Sequence, residues 1–202
     1  MWCCSIISIF IFSLLIVMAW PLPLKYRFKI ITVFMVQYLF WLKHVCHIDY
    51  QIEGLENLSK DRNGIVMAKH QSTWETFFLP IYFKEVAAIA KQELLWVPFF
   101  GWAFAASNPI TINRSKTTSA MQQVIHKGKT CLEDGRWVMV FPEGTRIPYG
   151  QVGQYKLGGT RLAVASGYPI QLVAHNAGLY WPRRQFIKRP GTIRVAISPL
   201  IE

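Results

Sequence analysis

Acidic residues are scarce in this 202-residue chain: 11 Asp and Glu stand against 22 Lys and Arg, for a formal net charge of +11. That imbalance points to an anionic partner, whether a membrane surface, a phosphorylated substrate or a nucleic acid. Cysteine is also sparse. Cys3 and Cys4 adjoin near the start, while Cys46 and Cys131 lie far apart. No disulfide framework and no C-x-x-C motif is therefore present, and the thiols are expected to be reduced in a cytosolic setting. His44, Cys46 and His47 sit close together without a second ligand pair, so no zinc site is expected there. G-x-S-x-G is absent, which excludes a nucleophile elbow. There is no internal repeat and no low-complexity tract.

Charge is missing altogether from Trp2 to Trp20. Hydrophobic residues make up 52% of the chain, a high share for a soluble domain. The charge-free run is long enough to cross a bilayer core as a helix, which takes about 20 residues, and Pro21 and Pro23 end it. A cleaved signal peptide lacks support, because no Lys or Arg precedes the run and no A-x-A site precedes Pro21. A buried core helix is disfavoured by the want of a polar face. Residues 1–47 are therefore expected to form a membrane anchor. Lys25, Arg27 and Lys29 follow the first run, at the cytoplasmic surface by the positive-inside tendency. A second apolar run, Ile30 to Leu42, is expected to be interfacial or re-entrant, with Trp20, Tyr26, Tyr38 and Trp41 at the interface.

Residues 48–202 read as one α/β domain with a central mixed sheet flanked by helices. Strands are expected over Ile65–Ala68, Val86–Ala90, Ile110–Ile112, Val138–Phe141, Ile170–Ala174 and Ile193–Ile197. Helices are expected over Trp74–Phe83, Lys116–Glu133 and Gly159–Ser166.

Four stretches carry chemistry. In AKHQSTWETF (68–77), His70 and Glu75 lie five apart, about 140° around a helix axis, so they pair only if His70 precedes the helix. Ser72 or Thr73 would cap that helix, and Glu75 would then sit in its first turn and orient the imidazole. A surface histidine beside a helix-start glutamate fits the same letters. NPITINRSK (108–116) ends a strand on Arg114, a planar fork for a phosphate, or forms a solvated basic turn. In VMVFPEGTR (138–146) a strand runs into a turn where Gly144 permits close ligand approach and Arg146 can bind an anion. Glu143 can fix an arginine or hydrogen-bond substrate, and Thr145 adds a hydroxyl. A turn closed by a Glu143–Arg146 ion pair is the alternative. GYPIQLVAH (167–175) opens a strand with Pro169.

In this order the stretches resemble the four motif blocks of the glycerolipid acyltransferase family, typified by the 1-acylglycerol-3-phosphate acyltransferases. KHQSTWE resembles the His-x4-Asp block, NPITINR the second block, and YPIQL the fourth; FPEGTR matches the third letter for letter. KQELLWVPFFG (91–101) and QYKLGG (154–159) resemble the connecting segments. The resemblance runs from the apolar stretch before His44 to Glu202. It implies transfer of an acyl group from acyl-CoA or acyl-carrier protein to the free hydroxyl of a lysophospholipid, giving phosphatidic acid in phospholipid synthesis. It implies His70 as general base oriented by Glu75. It implies an acceptor-phosphate site from Arg114, Glu143, Gly144, Thr145, Arg146 and Lys156, and an acyl-donor region at Pro169 and Ile170. No metal, no cofactor beyond the acyl donor and no covalent acyl-enzyme is implied. Membrane phospholipids are the surroundings, at the cell inner membrane with the catalytic domain on the cytoplasmic side.

The chain departs from the family pattern in two places. Glu75 stands where the acid is usually aspartate, one methylene shorter. Family domains also continue past the strand resembling TIRVAISPLIE with a further helix that covers the sheet; the sequence stops at Glu202, and that helix is not expected here. A different lyso-lipid acceptor, or a lipid-binding protein without catalysis on the same scaffold, fits those departures. Nucleic-acid binding is not expected, because Lys and Arg are not interleaved with aromatics.

Overall fold

The computed structural model describes residues 2–59, 61–112 and 117–202, with side chains for residues 5–59, 61–112 and 121–202. The chain opens with a helical hairpin. Helix α1 (Trp2–Met18) turns at Ala19–Pro23 into α2 (Leu24–Cys46). The pairing runs antiparallel: Ser5 donates to the Tyr38 hydroxyl, and the Phe12 and Phe34 rings meet at 5.2 Å. Here the expected short run Ile30–Leu42 proves to be the inner part of a 23-residue helix. Lys25, Arg27 and Lys29 do not interrupt a helix, so it begins directly after Pro23 and ends only where His47 takes a left-handed conformation (φ 53°). At 1.5 Å per residue α2 is about 34 Å long. It is the one helix among the described residues long and apolar enough to cross a membrane; α1 has 17 residues.

The remaining elements follow in order: β1 (Ile48–Glu53), β2 (Ile65–Ala68), α3 (Trp74–Tyr82), β3 (Ala87–Lys91), α4 (Phe100–Ala106), β4 (Ile110–Ile112), α5 (Thr117–Glu133), β5 (Val138–Val140), α6 (Gly158–Ser166), β6 (Ile170–His175), α7 (Ala177–Tyr180) and β7 (Gly191–Ile201). They form a seven-stranded mixed sheet in the order β1-β7-β6-β2-β5-β3-β4. The five strands from β6 to β4 run parallel; β7 opposes β6, and β1 runs with β7. Strand β1, absent from the expected set, carries Ile48, Tyr50 and Ile52 in alternation with polar residues. The start of the expected helix at Lys116 lies outside the described residues.

Successive strand side chains point to opposite faces, and this builds two cores. Val66, Ala68, Met139 and Val173 pack under α2 and α3 with Trp74, Phe78 and Leu42. Ile65, Met67, Val138 and Val140 pack against α5 and α6 with Leu132 and Leu162. Gly128 lets those two helices close: a Cβ there would lie 2.6 Å from a Leu162 methyl. Every residue of β2 is buried, as expected of a parallel strand covered on both faces.

A buried arginine ties the hairpin side to the sheet. Arg136 is 3% exposed; its Nε donates to the Glu85 carbonyl and its Nη2 to the carbonyls of Ser107 and Asn108. The guanidinium also sits 5.8 Å from the centre of the Phe28 ring of α2. Arg136→Ala strands those carbonyls and opens a cavity, so it is expected to lower unfolding stability by about 2–4 kcal/mol. Denaturant titration in detergent measures this; an unchanged midpoint would mean the carbonyls find other partners.

Candidate active site

The carboxyl ends of parallel strands are where open α/β sheets bind ligands, and here the ends of β2, β5 and β6 converge. His70 lies in the loop between β2 and α3, outside the helix. Thr73 occupies the N-cap position but makes no side-chain cap bond; the Ser72 hydroxyl instead accepts from the Trp74 N–H. Glu75, in the first turn of α3, folds back on the loop. Its Oε1 lies 2.9 Å from His70 Nδ1 and accepts the N–H groups of Gln71 and Ser72, both at 2.8 Å. The extra methylene of glutamate is thus absorbed by a loop wrapped around a single oxygen. Glu75 is fully buried, its Oε2 has no hydrogen-bond partner, and the His70 side chain is only 16% exposed. The pair is not a solvated surface pair.

The loop after β5 clamps the same segment. The buried Glu143 accepts the His70 main-chain N–H at 2.9 Å through Oε2, and its Oε1 lies 3.5 Å from Lys69 Nζ. The Ile147 N–H donates to the His70 carbonyl at 2.8 Å. Phe141 stacks on the imidazole with ring centres 4.2 Å apart. Glu143 therefore spends its carboxylate on the histidine loop and makes no ion pair with Arg146. Gly144 adopts φ +65°, and a Cβ there would come within 3.2 Å of Lys156 Nζ, so glycine brings the lysine against the turn.

Arg146 lies behind this turn. Its Nε is buried without a hydrogen-bond partner. Burial pushes the guanidinium's pKa down, the nearby Glu75 carboxylate pulls it up, and Arg183 adds to the fall. Arg183 reaches in from the segment after α7, with Nη1 donating to Thr145 Oγ1 and to the Arg146 carbonyl, both at 3.4 Å. Two guanidiniums held near one another suit a doubly charged anion.

A cavity of about 580 Å³ joins this cluster to the hairpin. His70, Gly144, Thr145, Arg146 and Arg183 line its polar end. Phe12 and Ile16 of α1, Phe28, Ile31 and Phe34 of α2, and Phe77 of α3 line its apolar body. The volume lies within the usual range of ligand pockets.

The structure does not bring every expected residue here. Arg114 lies outside the described residues. Pro169 and Ile170 stand at the opening of β6, where the Pro169 carbonyl accepts the Ile65 N–H. That is the opposite end of β2 from His70, and neither lines the cavity. The same stretch contributes through its last letter instead. His175 Nδ1 accepts the Ala177 N–H, which leaves its Nε2 as the donor to the Lys69 carbonyl at 2.8 Å. His175 and Arg183 were not picked out from the sequence; His175 lay in a stretch read only for its proline, and Arg183 in no motif at all.

Comparison with known proteins establishes the family. An acyltransferase family model matches residues 49–176. A 1-acyl-sn-glycerol-3-phosphate acyltransferase of Pseudomonas aeruginosa is 47% identical over 179 residues, 88% of this chain and 69% of that protein. The chain belongs to the acyltransferase family. The match extends across kingdoms. A 1-acyl-sn-glycerol-3-phosphate acyltransferase of Saccharomyces cerevisiae is 32% identical over 165 residues, covering 79% of this acyltransferase and 54% of the yeast protein. The crystal structure of the 1-acyl-sn-glycerophosphate acyltransferase of Thermotoga maritima superposes with a TM-score of 0.80 at 27% identity. It covers 100% of this acyltransferase chain and 82% of its own. The likeness in structure thus includes the N-terminal hairpin as well as the sheet.

Proposed function

We propose that this acyltransferase moves a fatty acyl group from a thioester donor, acyl-CoA or acyl-carrier protein, to the free hydroxyl of 1-acyl-glycerol 3-phosphate, giving phosphatidic acid. The observation that carries the reading is the His70 ring. Its Nδ1 is held by a buried carboxylate, and the ring lines a cavity that is cationic at one end and apolar along its body. That cavity matches an acceptor with a phosphate head and an acyl tail.

In this mechanism His70 Nε2 takes the proton of the acceptor hydroxyl as its oxygen attacks the thioester carbonyl. Glu75 keeps the imidazole in the tautomer with Nδ1–H and stabilises the imidazolium that forms. Collapse of the tetrahedral intermediate breaks the C–S bond. The departing thiolate recovers the proton from His70, so no acyl-enzyme forms. Arg146, with Lys156 and Thr145 beside it and Gly144 opening the turn, receives the acceptor phosphate; Arg114 belongs to the same proposed site. Glu143 serves by holding the His70 main chain. Residues 1–47 attach the enzyme to the membrane, with Lys25, Arg27 and Lys29 at the cytoplasmic surface of the inner membrane.

Arg146→Ala is expected to raise the KM of the phosphorylated acceptor by about tenfold or more while changing that of the acyl donor little, as loss of one charged contact would. An effect confined to the donor would reverse the assignment. The cellular test is complementation: a strain conditionally defective in the second acylation of phosphatidic acid synthesis should grow with this gene and not with its His70→Ala form. Failure of the intact gene, at normal membrane levels, would count against this acceptor.

A further inference from the structure

The exposed apolar surface does not end with the hairpin. Between β3 and β4 the chain reads LLWVPFFGWAFA (94–105), with no charged residue. Trp96 is 73% exposed and Trp102 50%, and Val97, Phe99 and Phe100 are each more than a third exposed. A soluble face seldom gathers that much bare aromatic surface in one place. The segment is firmly built. The Phe100 N–H bonds the Pro98 carbonyl at 2.7 Å across a three-residue turn that holds Phe99 at φ 61°, a conformation bulky residues avoid. A Cβ on Gly101 would lie 2.3 Å from the Leu95 carbonyl oxygen, so the chain doubles back on itself.

The turn aims Phe99 at the hairpin. Its ring meets Phe10 of α1 edge-on at 5.1 Å and Trp102 at 5.1 Å. At the other end of the segment Arg27 of α2 donates to the Ala106 carbonyl at 2.9 Å. Helix α1 beside it exposes Ile6, Ile7, Phe10 and Leu14. The two elements thus present one continuous apolar face, and both line the cavity, α1 through Ile9 and Phe12 and the segment through Leu94, Phe100 and Phe104.

We propose that segment 94–105 is a third membrane-embedded element, seated in the lipid beside α1, and that lipid acyl chains reach the His70 cavity laterally through the seam between them. Two features argue for lipid over a protein partner: continuity with the hairpin, and the absence of any charge for a partner to pair with. Tryptophans at the edge of a charge-free face match the headgroup level of a bilayer. The proposal rests on the membrane-anchored acyltransferase reading above.

The test places a photoreactive benzophenone residue, in separate full-length proteins, at Trp96, at Ile7 on α1 and at Leu55 beyond the far end of the sheet. Irradiation in phosphatidylglycerol–phosphatidylethanolamine vesicles should give phospholipid adducts at 96 and 7 and none at 55. Adducts at 7 without adducts at 96 overturn this inference and leave the anchor standing; none at either position overturns both. The Trp96→Glu/Trp102→Glu variant supplies a functional readout. It should lose about tenfold or more in turnover of vesicle-borne lysophosphatidic acid, the scale of forcing charge into a bilayer. Turnover of a short-chain, monomeric acceptor should stay within about twofold. Equal loss on both acceptors, or none on either, overturns the route through the seam. A native protein idle on both acceptors would instead refute the lysophosphatidic acid acceptor proposed above.

Discussion

Replacing His70 by alanine is expected to lower acyl transfer by at least about 100-fold, the scale on which a positioned general base acts. The expectation rests on how much of the fold converges on this one ring. Glu75 holds its Nδ1, Phe141 stacks on its face, and Glu143 and Ile147 fix its main chain. Alanine keeps the main-chain N–H and carbonyl, so both loop clamps survive and the fold should too. The loss should therefore fall on kcat, with donor and acceptor KM values little changed. His70→Gln is a useful companion, since it retains a hydrogen-bonding side chain without a base and should be as inactive. Turnover near normal in either variant would remove His70 from the chemistry.

The second large effect is expected at Glu75. Glu75→Ala deletes the acceptor shared by His70 Nδ1 and the N–H groups of Gln71 and Ser72, all in a fully buried position. Two orphaned main-chain donors and a cavity should lower stability by about 2–4 kcal/mol. Activity should fall about 100-fold as the imidazole loses its tautomer and its counter-charge. Glu75→Asp keeps the charge, and a small approach of α3 restores the contacts, so it should stay within about tenfold of the native rate. Glu75→Gln separates the two roles, because its carbonyl can still accept the loop N–H groups while the charge is gone. Retained stability with lost activity in Glu75→Gln assigns the charge to catalysis. Normal activity in the alanine variant would show that Glu75 orients nothing.

How much of this was legible in the sequence depended on distance along the chain. The geometric demand between residues 70 and 75 was local, and the structure meets it with His70 outside a helix that begins at Trp74. The buried strands β2 and β5 were also local patterns of continuous apolar residues. Strand β1 is also local, with Ile48, Tyr50 and Ile52 in alternation, but it directly follows the long apolar segment, which masks its start. What could not be read was partnership across the fold. Glu143 looked like a ligand of arginine or phosphate, yet its carboxylate serves the main chain of a residue 73 positions earlier. His175 meets Lys69 from 106 positions away. Nothing in local periodicity encodes such contacts; they follow from the placing of β5 and β6 on either side of β2. The same parallel register moves Pro169 to the far end of the sheet. The length of α2 departs from the expected run for a different reason. Three cations at its start read as a boundary, but Lys and Arg are good helix formers and interrupt only the apolar run.

The measurement that bears most directly on the account is an acceptor panel on the purified, vesicle-reconstituted enzyme. Glycerol 3-phosphate, 1-acyl-glycerol 3-phosphate and lyso-lipids with larger headgroups would each be offered with acyl-CoA and then with acyl-carrier protein, and the products identified by mass. The account predicts phosphatidic acid from 1-acyl-glycerol 3-phosphate as the dominant product with at least one donor, abolished in the His70→Ala protein. No phosphatidic acid with either donor, or an equal yield from the His70→Ala protein, would contradict it.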